Sequence, residues 1–303
     1  MSLAPVVLFV YNRLDHTKKT LDALSGCDLA SDSELFIFCD NYKKEKDIEN
    51  VQKVRKYIDD SAKKTKFKKV NVIKAEKNKG LAKSIIEGVT DIINAYGKVI
   101  VLEDDLEVST DFLKYMNDAL DYYEKQANIW SISGYTFPMK TLETYPHDVY
   151  MSGRGSSWGW ASWKDRWETI DWSVSDYKNF EFNYIKRHHF AKWGADMPFM
   201  LDRQMQGKIN SWAIRWCYSQ FKQKKYTIYP KWSYVQNIGT DGSGTHFSKL
   251  DATYDTFLRP KNAECYFEVL DVDEKIRKEF SKKYLNRMGV LKSNIKKIID
   301  KIT

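Results

Sequence analysis

Short apolar runs and amphipathic stretches alternate along the first third of the chain. VVLFVY (6–11) is apolar throughout and too short for a helix, the pattern of a strand buried on both faces of a parallel sheet. DHTKKTLDALSG (15–26) follows, with Thr17, Leu21 and Leu24 at helical spacing and Gly26 as a stop. ELFIFCD (34–40) predicts a second strand that ends in an acid. DIENVQKVRKYIDDSA (47–62) predicts a helix with Ile48, Val51, Val54 and Ile58 on one face. KVNVIKA (69–75) reads as a third strand, LAKSIIEGVTDIINAYG (81–97) as a helix closed by Gly97, and KVIVLEDD (98–105) as a fourth strand. Strand–helix repeats of this length predict an α/β fold, a mostly parallel central sheet flanked by helices.

Beyond residue 110 the rhythm changes. DFLKYMNDALDYYEKQ (111–126) predicts a helix, and NIWSISGY (128–135) a strand leading into a turn. A further helix is predicted from Ser211 to about Lys224, capped by Asn210 or Ser211. TIYP (227–230) is a short strand, and NIGTDGSGTH (237–246), with three glycines, reads as a loop. No repeat or linker-like stretch divides the chain.

A chain of 303 residues, 43% hydrophobic and 30% charged, has an ordinary globular composition. Its ten Trp and nineteen Tyr are less ordinary. Aromatic side chains suit sugar recognition, because pyranose C–H faces pack on rings; they are equally the material of a core. Cys27, Cys39, Cys217 and Cys265 have no metal-ligand spacing and read as reduced, mostly buried thiols of a cytosolic protein. No run of about 18 apolar residues predicts a transmembrane helix, and MSLAPVVLFVYN lacks a signal peptide's charged start and cleavage site. The expected location is therefore cytoplasmic, with peripheral contact at an inner membrane face. The net charge of +8 gathers at the C-terminus, where FSKKYLNRMGVLKSNIKKIIDKIT (280–303) sets seven basic residues against Asp300. Leu291, Ile295, Ile298, Ile299 and Ile302 fall on one helical face, which could lie on an anionic membrane or dock on the domain. Nucleic acid is not an expected partner, since no recognition motif accompanies the charge.

The candidate chemistry starts at VIVLEDDLEV (99–108), where four apolar residues run into Glu103, Asp104 and Asp105. Adjacent acids repel, and each costs desolvation at the end of a buried strand. Either the acids form a solvated turn, or a divalent cation carrying a phosphorylated ligand offsets their charge. Neither GxGxxG nor GxxxxGK[ST] occurs, which argues against a dinucleotide fold or P-loop. A cation at the carboxyl end of the sheet would sit where ligands bind in open α/β folds. Strand alternation predicts Glu103 and Asp105 on one side and Asp104 on the other. Oxygen-only ligation favours Mn2+ or Mg2+.

A strand ending in EDD, continued as LEVSTDFLKYM and followed by NIWSISGY, resembles the GT-A glycosyltransferases, closest to the branch containing N-acetylglucosaminyltransferase I. More loosely the resemblance runs through SSWGWASW, NSWAIRW and YPKWSYVQN, covering about residues 5–247. It implies a Rossmann-like nucleotide-diphospho-sugar transferase fold over 1–250, with 1–110 as the nucleotide-binding half and 111–250 as the acceptor and metal half. Residues 251–303 would be a basic helical extension. The implied reaction is metal-dependent, inverting transfer from a nucleotide-sugar donor, expected to be UDP-linked, to a glycan or lipid-linked saccharide acceptor in cell-surface polysaccharide synthesis. The sugar would be a hexose or an N-acetylhexosamine. Asp105 corresponds to the direct metal ligand, and Asp104 and Glu103 to residues touching the donor. Asp40 falls where the family contacts uracil, and Arg13 where an arginine approaches the donor phosphates. Lys83 in EKNKGLAKS would help hold the nucleotide, and His246 would complete the metal shell. Trp158, Trp160 and Trp212 are candidates for packing on donor or acceptor sugar.

One departure bears on catalysis. Inversion needs a base for the acceptor hydroxyl, and the family places an acid at the start of the helix after the aromatic segment. Here KINSWAIRW puts Asn210 and Ser211 there, and an amide does not take that proton. Asp202 is the expected substitute, reaching in from GADMPFMLDRQ, with Asp196 behind it. The rival expectation is a catalytically inactive glycan- or nucleotide-binding module of the same fold. A nucleotidyltransferase would want a glycine-rich first loop, and YNRLDHTKK has no glycine.

Overall fold

The computed structural model describes residues 2–241, 256–259 and 264–284. Ten strands are present among them. β1 (Val6–Val10), β2 (Glu34–Cys39), β3 (Lys69–Lys74) and β4 (Lys98–Glu103) come from the regular first third. β5 (Leu106–Val108), β6 (Ile129–Ser133), β7 (Val149–Ser152), β8 (Trp160–Trp163), β9 (Tyr226–Pro230) and β10 (Val235–Asn237) follow. Eight form one sheet in the order β3-β2-β1-β4-β8-β6-β9-β7. The β3-β2-β1-β4 block is parallel throughout, and β6 is parallel to β9. β8 runs antiparallel to both β4 and β6, and β7 antiparallel to β9. The fold is α/β with a large, mostly parallel central sheet, and every residue of β1 is buried because β1 lies inside that sheet.

The helices of the first third are α1 (Leu14–Ser25), α2 (Ile48–Ser61) and α3 (Leu81–Tyr96), followed by α4 (Phe112–Tyr123). Leu21 and Leu24 of α1, Val54 and Ile58 of α2, and Phe112, Leu113 and Met116 of α4 bury against one face of the sheet. Ala82, Ile85, Val89 and Ile93 of α3 bury against the other. The heptad-like spacing of these residues is therefore the spacing that covers a sheet face. Gly97 ends α3 in the left-handed region, φ 79°, where a side chain would be strained.

The second half is built from short helices: α5 (Lys140–Glu143), α6 (Lys164–Trp167), α7 (Tyr177–Glu181), α8 (Tyr184–Phe190) and α9 (Met197–Met205). The longer α10 (Trp212–Lys222) has Ser211 as its N-cap, its hydroxyl accepting from the Ile214 N–H at 3.3 Å. On the α3 side of the sheet, Trp130, Trp160, Trp167, Trp212 and Trp216 form one cluster. The ring of Trp160 lies 4.7 Å from that of Trp216, 5.3 Å from Trp212 and 5.6 Å from Trp167. α11 (Glu274–Lys283) returns to the body of the protein. Its Phe280 is fully buried among Phe137, Tyr229 and Trp193, and its Glu279 accepts the N–H groups of Lys140 and Thr141 at the start of α5.

Candidate active site at the carboxyl end of the sheet

β1, β2 and β4 all end on the same edge, because they are parallel, and this delivers Tyr11–Arg13, Asp40 and Glu103–Asp105 to one place. β4 stops at Glu103. Asp104 and Asp105 form a tight turn, and the chain resumes as β5, which pairs with β10. The expectation that Asp105 shares a side with Glu103 fails here: the turn breaks the strand alternation, and Asp104 and Asp105 both face Arg13. One guanidinium nitrogen, Arg13 Nη2, donates to Asp104 Oδ1 at 2.5 Å and to Asp105 Oδ2 at 2.9 Å.

The turn is fixed from several sides. The Tyr11 N–H donates to Asp104 Oδ2 at 3.3 Å, and the buried Thr20 hydroxyl donates to the Asp104 carbonyl at 2.9 Å. The Leu106 N–H donates back to that hydroxyl, and the Ile238 N–H donates to the Asp105 carbonyl at 2.8 Å. The segment after β10 therefore lies across the acids. His16 Nε2 holds it at the Ile238 carbonyl, 3.2 Å away. Gly239 is required by this approach: a Cβ there would stand 2.2 Å from Asp105 Oδ2 and 3.0 Å from Arg13 Nη1.

Burial and repulsion from neighbouring acids act on Glu103 and Asp104. Burial, then Asp105 and Asp104, push the Glu103 carboxyl up to about 8, with Arg13 opposing. Burial also raises Asp104, against the pull of Arg13. Burial disfavours the charged Arg13, but the two aspartates outweigh it and hold the guanidinium firmly protonated.

Among the described residues, no three His, Cys, Asp or Glu side chains converge as a ready-made metal site. Mg2+ and Mn2+ bound with a diphosphate need only one or two carboxylates, the remaining ligands being phosphate oxygens and water. Asp105 fits that more modest role. It is partly exposed, 16% at the side chain, and Arg13 engages only its Oδ2. His246, the expected second ligand, lies outside the described residues.

Asp40 closes β2 as expected, but its oxygens are engaged by the protein. They accept from the N–H groups of Asn41, Lys79 and Gly80 and from Asn78 Nδ2, at 2.8–3.0 Å. Asp40 thus orders the loop that starts α3, and direct contact with a base would have to displace one of these donors. Lys83 stands on the first turn of α3 with its side chain 64% exposed, 3.6 Å from Glu87.

Three expectations are corrected. Asp202 is 2% exposed; Arg187 donates to both of its oxygens at 2.8 Å, and the Tyr177 hydroxyl donates to Oδ1 at 2.8 Å. A carboxylate gripped in this way neither meets substrate nor takes its proton. Asp196 is likewise held by the fork of Arg154, at 2.7 and 2.9 Å. Trp160 and Trp212 are 1% and 3% exposed and belong to the tryptophan cluster, so they pack the core and offer no face to a sugar. Of the three tryptophans considered, Trp158 alone is partly exposed, edge-on to Tyr135. Sequence reasoning missed Tyr11, Thr20, His16 and Gly239. Gly239 had a signal in the glycine loop, whereas Thr20 looked like any polar residue on a helix.

No protein-family model matches the chain, and no curated protein matches it. Among solved structures, residues 1–349 of S. aureus TarS align over 78% of this chain and 61% of that one, with 10% identity and a TM-score of 0.43. The same TarS segment in complex with UDP-GlcNAc aligns over 77% and 57%, again with 10% identity and a TM-score of 0.43. GalNAc-T7 with UDP, GalNAc and Mn2+ aligns over 76% and 42%, with 12% identity and a TM-score of 0.46. The chain thus spans about three fifths of the TarS segment and about two fifths of GalNAc-T7. Likeness at this level assigns neither family nor activity.

Proposed function

We propose that the protein is a GT-A glycosyltransferase that moves a sugar from a UDP-linked donor to a hydroxyl of a glycan or lipid-linked saccharide, with a divalent cation on Asp105. The observation that supports this best is the Asp104–Asp105 turn at the carboxyl end of β4, clamped by Arg13 beneath Gly239. An acid pair held by hydrogen bonds and charge-compensated, with Asp105 partly exposed, at the ligand-binding edge of a parallel sheet suits a diphosphate with its cation better than it suits a solvated turn. A bound Mn2+ or Mg2+ would offset negative charge on the departing diphosphate.

In this reading Asp105 anchors the cation, and the more deeply buried Asp104 keeps Arg13 and the turn in register. Arg13, 20% exposed, presents its remaining N–H groups toward the phosphates. Glu103, at the end of β4 beside this turn, contacts a donor hydroxyl. Asp40 acts one step back, by fixing residues 78–80 and the start of α3 beside the nucleotide.

The binding-module reading draws on one specific observation. Asn210 and Ser211 serve α10, Asn210 Oδ1 accepting from Arg215 and Ser211 capping the helix, while Asp202 and Asp196 are locked in ion pairs. The test is a panel of UDP-sugars with and without Mn2+, comparing the protein with Asp105→Asn. A transferase binds a donor in a Mn2+-dependent way and slowly releases UDP, both lost in the variant. Mn2+-dependent binding with no UDP release in the presence of a glycan acceptor library selects the binding module. Equal binding by both proteins removes Asp105 from the site.

A further inference from the structure

The outward face of α8 combines apolar and cationic side chains. Ile185 is 72% and Tyr184 54% exposed, and Lys186, His188 and His189 are exposed beside them, while Arg187 and Phe190 are buried. The charge of Arg187 is answered internally by Asp202, and α8 carries no acid. The 3-10 turn Ala191–Trp193 continues the helix, and α11 packs on that turn, Arg277 Nη1 donating to the Lys192 carbonyl at 3.2 Å. α11 adds exposed Lys275, Lys278 and Lys282. Of its acids, Glu274 is paired with Arg277, and Glu279 turns inward to α5. What the two helices show to solvent is thus an apolar tip in a cationic surround.

We propose that this face, the Tyr184–Ile185 tip with Lys186, Lys192 and the α11 lysines, docks the protein on an anionic bilayer. Two large side chains cover far less than the roughly 800 Å² a stable protein partner occludes. They suffice at a lipid surface, where an aromatic ring and an aliphatic chain enter the headgroup layer and lysines add attraction to anionic lipid. Lysine stems also lie along such a surface with their ammonium groups in water. The chain beyond α11 continues the same charge, with Arg287, Lys292, Lys296, Lys297 and Lys301 against Asp300.

The experiment is co-sedimentation of the full chain with phosphatidylcholine vesicles, with and without phosphatidylglycerol. The variants are Tyr184→Ser/Ile185→Ser, Lys278→Gln/Lys282→Gln, and Lys63→Gln/Lys64→Gln as a control on an exposed turn elsewhere. Binding is expected only with phosphatidylglycerol and to weaken with salt. It should fall by about tenfold in each of the first two variants, with unchanged circular dichroism, and stay unchanged in the control. No binding by the parent protein overturns the proposal. So does unaltered binding by Tyr184→Ser/Ile185→Ser; if light scattering then shows that variant losing self-association, the tip joins two copies of the chain instead.

Discussion

Replacing Glu103 with Gln removes an ionisable group while keeping its shape, and the acid turn makes the expected effect pH-dependent. In the unfolded chain this carboxyl titrates near its ordinary 4.5; in the fold, burial and the two aspartates push it up to about 8. At about 1.36 kcal/mol per pH unit, the whole difference corresponds to roughly 5 kcal/mol. The three acids repel one another, so the proton belongs partly to the cluster, and removing Glu103 recovers only part of that difference. The sign follows from the raised value. Well below pH 4.5 both states are protonated at Glu103, and this group takes nothing from stability. As pH rises toward 8 the unfolded chain releases a proton that the folded chain keeps, and stability falls. Urea denaturation at pH 5, 6.5 and 8 should therefore show Glu103→Gln close to the parent at pH 5 and increasingly more stable toward pH 8, with roughly 5 kcal/mol as the upper bound. A difference that does not change with pH would refute the reasoning, because a simple packing effect of the amide has no reason to track proton release.

Two further outcomes are expected. Gly239→Ala places a methyl 2.2 Å from Asp105 Oδ2, so the strap must lift from the acids; calorimetry should show Mn2+–UDP affinity down by about tenfold or more, and unchanged affinity would contradict the close approach. Asp202→Asn strips a buried arginine of its counter-charge and should cost about 3–5 kcal/mol of stability while the folded fraction keeps its turnover; normal stability with lost turnover would restore Asp202 as the base.

The strand–helix alternation was legible because a parallel sheet demands apolar runs and helices of fixed period. The predicted boundaries of β1 to β4 and α1 to α4 lie within a few residues of the observed ones. The acid turn was legible too, since three acids at the end of an apolar strand contradict burial unless something offsets them. The roles of single aromatic and acidic residues were not. Trp160 and Trp212 have the composition of a sugar platform, but β8 and α10 turn them toward Trp216 and Trp167. Asp202 has the composition of a base, but α8 brings Arg187 onto it from 15 residues away.

By itself the sequence determined the layered α/β architecture and the place of the acids at the end of β4, because hydrophobic period and local charge are properties of neighbours in the chain. Tertiary structure decided which carboxylates stay available. Arg13 reaches Asp104 and Asp105 across more than 90 residues, and Gly239 covers them from farther still. Asp196 and Asp202 are closed off by arginines delivered from other elements. Whether an acid is a ligand or an internal counter-charge depends on what the fold sets against it, and residues distant in the chain supply that.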